Sequence, residues 1–165
     1  MIEKVLRGVD TCSKVGAYLS VGCMLAIVSL IVVEIICRTF FHVSTFIADE
    51  YSGYLMVAAV LAGLGFTLET DSHIKITILL AKLSPEPRRY AELTATFIAI
   101  AITLFVFYHS VLMVYDTYSY DMLADSISET PLYIPQFLIP VGLLALMLQL
   151  VAQFIRRLPF CSQTR

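Results

Sequence analysis

The sequence predicts an all-α integral membrane protein with four transmembrane helices and both termini in the cytoplasm. Of its 165 residues, 59% are hydrophobic and 15% are charged, whereas soluble domains have about 45–50% apolar and about 25% charged residues. Four stretches approach the roughly 20 apolar residues that a span requires, and backbone exposed to lipid must satisfy its own hydrogen bonds as a helix. The net charge of −2 offers no basic surface for nucleic acid.

The four predicted spans form a single membrane domain over residues 1–165. They cover about residues 15–37, 51–68, 91–115 and 132–155. The first span contains one charge, Glu34, and the second and fourth contain none. Because the first span is too long for the apolar part of a signal peptide and lacks a small-residue cleavage site, we expect the chain to retain it.

Lysine and arginine residues are distributed unevenly between the two sides of these spans. Ten of the eleven fall in the N-terminal arm, the second loop or the C-terminal tail, and only Arg38 falls in the first loop. The third loop, residues 116–131, has four acidic residues and no basic one. Since positive residues stay on the cytoplasmic side, this distribution predicts cytoplasmic termini.

Two shorter segments are predicted to lie on the membrane surface. Near the N-terminus, apolar residues recur at the helical spacing i, i+3, i+4, i+7, namely at Ile2, Val5, Leu6 and Val9. With charged residues on the other faces, this pattern predicts an amphipathic surface helix that leads into the first span. Residues 74–83 begin with strand-like alternation and end with a helical pattern, and their membrane context favours a short interfacial helix.

Three prolines stand near the start of the fourth span. Pro131 precedes the helix, and Pro135 falls in or near its first turn, where a missing N–H costs nothing. Pro140 lies inside the helix and leaves the carbonyl of Gln136 without its usual donor. We therefore expect the outer third of this span to bend and to pack on protein rather than on lipid.

Charged residues at the outer ends of the first two spans are candidate functional residues. Glu34 and Arg38 are four residues apart and can pair along the helix. The pair is either a site for a proton or a substrate carboxylate, or an ion pair that reaches the outer surface. Asp49 and Glu50 precede the second span, where they either complement the helix dipole and cap the helix or dock a partner.

The second span is rich in small residues. Ala58, Ala62 and Gly65 share one stripe, and Ala59 and Gly63 lie beside it. Small residues four apart allow helix backbones to approach closely, so this span is predicted to be a helix-packing surface.

The sequence predicts neither a metal site nor a cofactor. His109 lies inside the third span, whereas His42 and His73 fall in loops on opposite sides, so no axial pair for haem is available and His109 is interpreted as a helix-packing residue. His73 lacks neighbours that would complete a zinc site, and the four cysteines include no C-x-x-C pair. No proton-relay chain, broken-helix ion site or hydrolase motif is present either. We expect a non-catalytic structural subunit.

Two regions carry a resemblance to a known family. The first comprises residues 49–76 and reads DEYSGYLMVAAVLAGLGFTLETDSHIKI, an acidic pair, a small-residue span and a polar turn that contains His73. The second comprises residues 128–150 and reads SETPLYIPQFLIPVGLLALMLQL, with one Ile-Pro at Pro135 and an Ile-Pro-x-Gly that ends at Gly142. In this order and spacing they resemble the small membrane subunit, the DctQ-like or Q component, of tripartite ATP-independent periplasmic (TRAP) transporters.

The resemblance implies a role in the bacterial inner membrane, surrounded by lipid. A large multi-span subunit would carry the substrate and sodium sites, and a periplasmic binding protein would deliver an organic acid such as a C4-dicarboxylate. The small subunit would pack against the large one and widen its scaffold. Asp49 and Glu50 would be motif positions rather than substrate ligands. The candidate interface or motif residues are Glu34, Arg38, Asp49, Glu50, Ala58, Ala62, Gly63, Gly65, His73, Pro135, Pro140 and Gly142.

Two other classes of function stay open. The chain is alternatively a small proton-coupled transporter that works alone, with Glu34 as its coupling site, or a membrane redox enzyme that binds haem or quinone. Reconstitution of the isolated chain separates the first from a scaffold role, and an absorption spectrum tests for haem.

Overall fold

The computed structural model describes residues 2–70 and 85–157, and the elements in these two ranges are helical. They are α1 (Ile2–Ile36), which continues into a π-helical turn (Cys37–Phe41), α2 (Ala48–Glu69), α3 (Pro85–Ser119), α4 (Tyr133–Gln136) and α5 (Leu138–Arg157). Four helical stretches are long and apolar enough to cross a membrane, with α4 and α5 together forming the fourth. The predicted fold class is therefore confirmed. The expected interfacial helix at 74–83 and His73 lie outside the described residues, and the orientation of the termini stays a prediction.

α1 is longer than a bilayer is thick. Its 35 residues correspond to about 52 Å of helix, against a hydrocarbon core of about 30 Å. The predicted amphipathic segment is helical and runs into the first span without a break. At the other end, the π-helical turn stops at His42, whose left-handed backbone (φ 54°) lets its N–H bond to the carbonyl of Cys37.

α1, α2 and α5 pack against one another, and α1 packs most extensively on α2. Two close approaches require glycine. A Cβ atom at Gly16 would overlap the backbone carbonyl oxygen of Ala62, and one at Gly142 would lie 2.5 Å from the Cβ of Leu61. These positions set the spacing of α1 on α2 and of α5 on α2, because any larger residue pushes the helices apart.

α3 packs differently, because it meets mainly α5 and the short α4. Its buried residues recur every seven positions and all carry hydroxyl groups: Thr96, Thr103, Ser110 and Thr117. Each hydroxyl donates to a carbonyl three or four residues earlier in α3, at 2.7–2.8 Å. A seven-residue repeat keeps one seam facing a neighbouring helix that crosses at a shallow angle. The sequence contains this repeat, but the hydropathy pattern alone does not reveal it.

The fourth span is interrupted between its prolines. α4 ends at Gln136 and α5 begins at Leu138, with Phe137 between them. Pro140 cannot donate to the Gln136 carbonyl, and the next amide, that of Val141, makes only a long 3.5 Å bond to the Phe137 carbonyl. Pro140 itself is buried. The interruption thus falls one turn before the interior proline. This proline packs on protein as expected, whereas Ile134 and Phe137 in the same outer third are exposed.

Candidate functional site

The carboxylate of Glu34 is bonded to donors from its own chain. It lies at the end of α1, and its side chain is only 8% exposed. The Oε1 atom accepts from the Nε of Arg38 at 2.6 Å and from the hydroxyl of Ser44 at 2.7 Å. The Oε2 atom accepts from the backbone N–H of Thr45 at 3.1 Å and from the hydroxyl of Thr45. Both oxygens therefore have two donors each.

This network holds the loop that leads from α1 to α2. The loop reverses the chain with left-handed residues at His42 (φ 54°) and Phe46 (φ 57°), which are unfavourable for residues with side chains. Arg38 also donates to Ser44, at 3.2 Å. Since charge-assisted hydrogen bonds are strong and cooperative, Glu34 and Arg38 fix this reversal. The geometry favours the ion-pair interpretation over a proton or substrate site.

Glu50 connects the start of α2 to the third loop. One carboxylate oxygen accepts from the hydroxyl of Tyr54 at 2.7 Å, and the other accepts from the hydroxyl of Ser128. Ser128 is within 3.0 Å of the hydroxyls of both Ser126 and Thr130. The cap position of α2 is Ile47, and no side chain caps it. Glu50 therefore serves as a tether between two segments of the outer end.

Asp49 differs from its neighbour in exposure. Its side chain is exposed, and its carboxylate accepts no hydrogen bond from any residue in the described ranges. The acidic pair thus divides into one structural residue and one residue that remains available at the surface.

Four of the five small residues singled out in α2, all except Ala58, lie against α1. The hydroxyl of Ser20 donates to the carbonyl of Ala59 at 2.7 Å. A Cβ atom at Gly63 would lie 3.4 Å from the Ser20 hydroxyl, and one at Gly65 would lie 3.0 Å from the Ser13 hydroxyl. Ala59 and Gly65 are buried, whereas Ala58, Ala62 and Gly63 are half-buried. This surface packs helices and holds no group suited to substrate.

A polar cluster at the opposite end of the bundle was missed in the sequence. The Nη2 atom of Arg156 lies 2.7 Å from each carboxylate oxygen of Asp10. The side-chain amide of Gln149, which is 1% exposed, donates to the same carboxylate at 3.4 Å. Nearby, Lys14 and Glu69 approach to 3.8 Å. The cluster ties α1 to both α2 and α5. Its signal in the sequence was Gln149, a polar residue in a span without charges.

His109 lies on the outside of α3. Its side chain is exposed, and its ring contacts are with Phe105 and Tyr108, at centroid distances of 4.4 and 5.5 Å. All three residues belong to α3, so the expected packing of His109 between helices is not seen within the described parts of this chain.

No group of three or more histidine, cysteine or acidic residues within residues 2–70 and 85–157 is arranged to hold a metal ion. Cys12, Cys23 and Cys37 are free thiols. The ionisable groups described above are instead paired at the two ends of the helices or exposed on the surface.

Comparison with known proteins identifies the family of this chain. The family model for the DctQ component of tripartite ATP-independent periplasmic transporters matches residues 27–160. A protein of Haemophilus influenzae, provisionally named a TRAP transporter small permease protein, is 23% identical over 117 residues, which cover 71% of each chain. The family match spans most of the sequence and includes the last three of the four spans. The chain therefore belongs to the DctQ family of TRAP transporter small permease subunits.

Proposed function

We propose that this chain is a non-catalytic subunit that packs against the large membrane subunit of its transporter and widens the static scaffold of that subunit. The complex takes up an organic acid, a C4-dicarboxylate or a similar carboxylate, together with sodium across the bacterial inner membrane. A periplasmic binding protein delivers the substrate, and both termini of this chain lie in the cytoplasm.

The placement of acidic side chains in the described spans carries this proposal. Glu34 in the first span has both carboxylate oxygens bonded to its own chain, and Glu92 at the start of the third span pairs with Arg88 at 3.2 Å. The pair of Asp10 with Arg156 stands at the other end of the bundle. A site that moves a proton or binds a solute needs groups that can change partners, and these groups already have fixed ones. Transport chemistry is therefore assigned to the larger partner.

The outer end of the chain suits contact with a binding protein. Asp49 and the acidic residues of the third loop are exposed: Asp116, Asp121, Asp125 and Glu129. Concentrated negative charge steers a partner that carries a basic patch and speeds its association, mainly at low salt. In this proposal these residues contact the binding protein and do not contact the substrate.

Expression of the large subunit and the binding protein, with or without this chain, tests the proposal. We expect uptake only when this chain is present. Glu34→Gln should restore uptake with unchanged dependence on sodium, although the yield of the complex should fall because the loop after α1 is weakened. Full uptake in the absence of this chain contradicts the proposal, and so does a change in the coupling ion in Glu34→Gln.

A further inference from the structure

Two adjacent hydrogen-bonding side chains lie exposed in the membrane-spanning part of α3. Tyr108 is 59% exposed, and His109 is also exposed. Within the described parts of the chain, neither the Tyr108 hydroxyl nor the His109 imidazole has a hydrogen-bond partner. We call these two residues the polar patch of α3.

The polar patch lies inside the hydrocarbon part of the span. The 30 residues of Tyr90–Ser119 form about 45 Å of helix, against a hydrocarbon core of about 30 Å. His109 is ten residues before the end of this span, so it lies about 7 Å inside the core when the span is centred in it. Side chains on a helix lean toward its N-terminus, so Tyr108 and His109 point toward the middle of the span and away from its nearer end. Polar groups at this depth are unfavourable without a partner.

Two other exposed hydroxyls within the spans show how such a group is satisfied by its own helix. Ser29 in α1 donates to the carbonyl of Leu25 at 2.8 Å, and Thr94 in α3 donates to the carbonyl of Tyr90 at 2.9 Å. Such side chains face lipid without an unmet hydrogen bond. A tyrosine hydroxyl and an imidazole are held too far from their own backbone to do the same, so their partner must come from elsewhere.

The surroundings of the polar patch fit a second helix. The seam of α3 that faces α5 carries its buried hydroxyl residues, which leaves the side with the polar patch uncovered. Ile102 and Phe105, one or two turns before the patch, are 59% and 65% exposed. We propose that a transmembrane helix of the large membrane subunit packs on this face and supplies hydrogen-bonding side chains to Tyr108 and His109.

The proposal rests on the proposed function, from which it takes the partner. Lipid chains offer no hydrogen bonds, so lipid alone leaves the patch unsatisfied. A second copy of this chain would bring the same two groups across a two-fold axis, and this arrangement is one outcome of the test below.

Photocrosslinking in membranes locates the partner. A benzophenone amino acid replaces Phe105 in this chain, which is co-expressed with its tagged large subunit and irradiated. We expect an adduct with the large subunit, identified by peptides from one of its spans. If the two chains co-purify but Phe105 yields an adduct only with a second copy, or no protein adduct, the assignment of this face is wrong and the proposed function stands. If the chains do not associate at all, both proposals fail.

Variants of the polar patch measure its contribution. Tyr108→Phe combined with His109→Leu keeps the apolar volume and removes the hydrogen bonds. We expect association with the large subunit to weaken by roughly threefold to tenfold, the effect of losing two hydrogen bonds between helices in a membrane. The matched control, Ser29→Ala, removes an exposed hydroxyl that is already satisfied and should leave association unchanged. Equal association of the double variant and the control overturns the proposal.

Discussion

The contact of α1 with α2 and the contact of α3 with α5 use small residues in opposite ways. In the first, Gly16 lets the backbone of α1 reach the carbonyl of Ala62, and Ser20 donates across the interface to Ala59. In the second, the hydroxyl residues of α3, such as Thr103, bond to their own helix. The α1–α2 contact therefore depends on specific interactions between atoms of the two helices, whereas the α3–α5 contact depends mainly on the small size of the α3 side chains.

The molecule therefore joins its helices in two ways. α1, α2 and α5 are joined by close backbone approach and by the cluster around Asp10 and Arg156. α3 is held along one seam and leaves Tyr108 and His109 on its uncovered side. A scaffold subunit needs both properties, because it must hold its own shape and present a surface to a larger protein.

Gly16→Ala should give the largest effect on stability. The added Cβ overlaps the carbonyl oxygen of Ala62, so α1 must move away from α2 at a cost of about 1–3 kcal/mol in the free energy of unfolding. Thermal unfolding in detergent measures the change. The matched control is Gly22→Ala, which meets no atom within 4 Å and should be neutral or slightly stabilising, since alanine favours helix. Equal melting temperatures for the two variants contradict the close-approach account.

Asp10→Ala should destabilise the molecule less. It removes a pair with Arg156 at 2.7 Å, in which the two side chains are 38% (Arg156) and 25% (Asp10) exposed, so screening by solvent limits the loss to about 0.5–1.5 kcal/mol. A double-mutant cycle with Arg156→Ala isolates the coupling between them. The pair of Lys14 and Glu69, at 3.8 Å, should show a smaller coupling. A coupling energy of zero between Asp10 and Arg156 would show that this cluster does not help to hold α1 and α5 together.

Glu50→Ala should loosen the third loop without unfolding the helices. Loss of the contact with Ser128 frees the third loop from α2. The amide of Ala124 in this loop bonds to the carbonyl of Thr130 at 2.9 Å. We expect hydrogen exchange at this amide to become roughly threefold to tenfold faster, which corresponds to the loss of one hydrogen bond. Asp49→Ala is the control, because the Asp49 carboxylate accepts no hydrogen bond from the described residues. Similar acceleration in both variants shows that the tether is not specific to Glu50.

Thr103→Val should have the smallest effect. Its hydroxyl donates within α3, so we expect the free energy of unfolding to change by less than about 0.5 kcal/mol. Thr103→Leu, which adds volume at the seam, should cost more. A large loss in Thr103→Val means that the hydroxyl contacts α5 directly, and the contrast between the two helix contacts then disappears.

Local patterns in the sequence were enough to predict the spans and a distortion near the start of the fourth one, although the helix is interrupted at Phe137 where only a bend was expected. Hydropathy fixes which segments are long and apolar enough to cross a membrane, and the missing N–H of Pro140 acts on the turn just before it. The reach of Glu34 to Arg38 is also local, because four residues bring side chains together on a helix. These features need no knowledge of how the helices are arranged.

Features that depend on how the helices are arranged could not be predicted from such local patterns. Asp10 and Arg156 are 146 residues apart, and no local rule brings them together. Glu50 was predicted to cap α2 or to dock a partner, and its contact with Ser128 requires the third loop to fold back on α2. His109 was interpreted as a packing residue, but only the arrangement of α3 on α5 shows which side it faces.

The most direct test of the scaffold role is uptake by the isolated chain. Purified protein is reconstituted alone in liposomes with a proton or sodium gradient, and radiolabelled organic acids are supplied outside. We predict no gradient-driven uptake, and we predict uptake when the large subunit and the binding protein are added. Uptake by the chain alone that is abolished in Glu34→Gln would contradict the account, because Glu34 would then serve as a coupling site and not as the anchor of a loop.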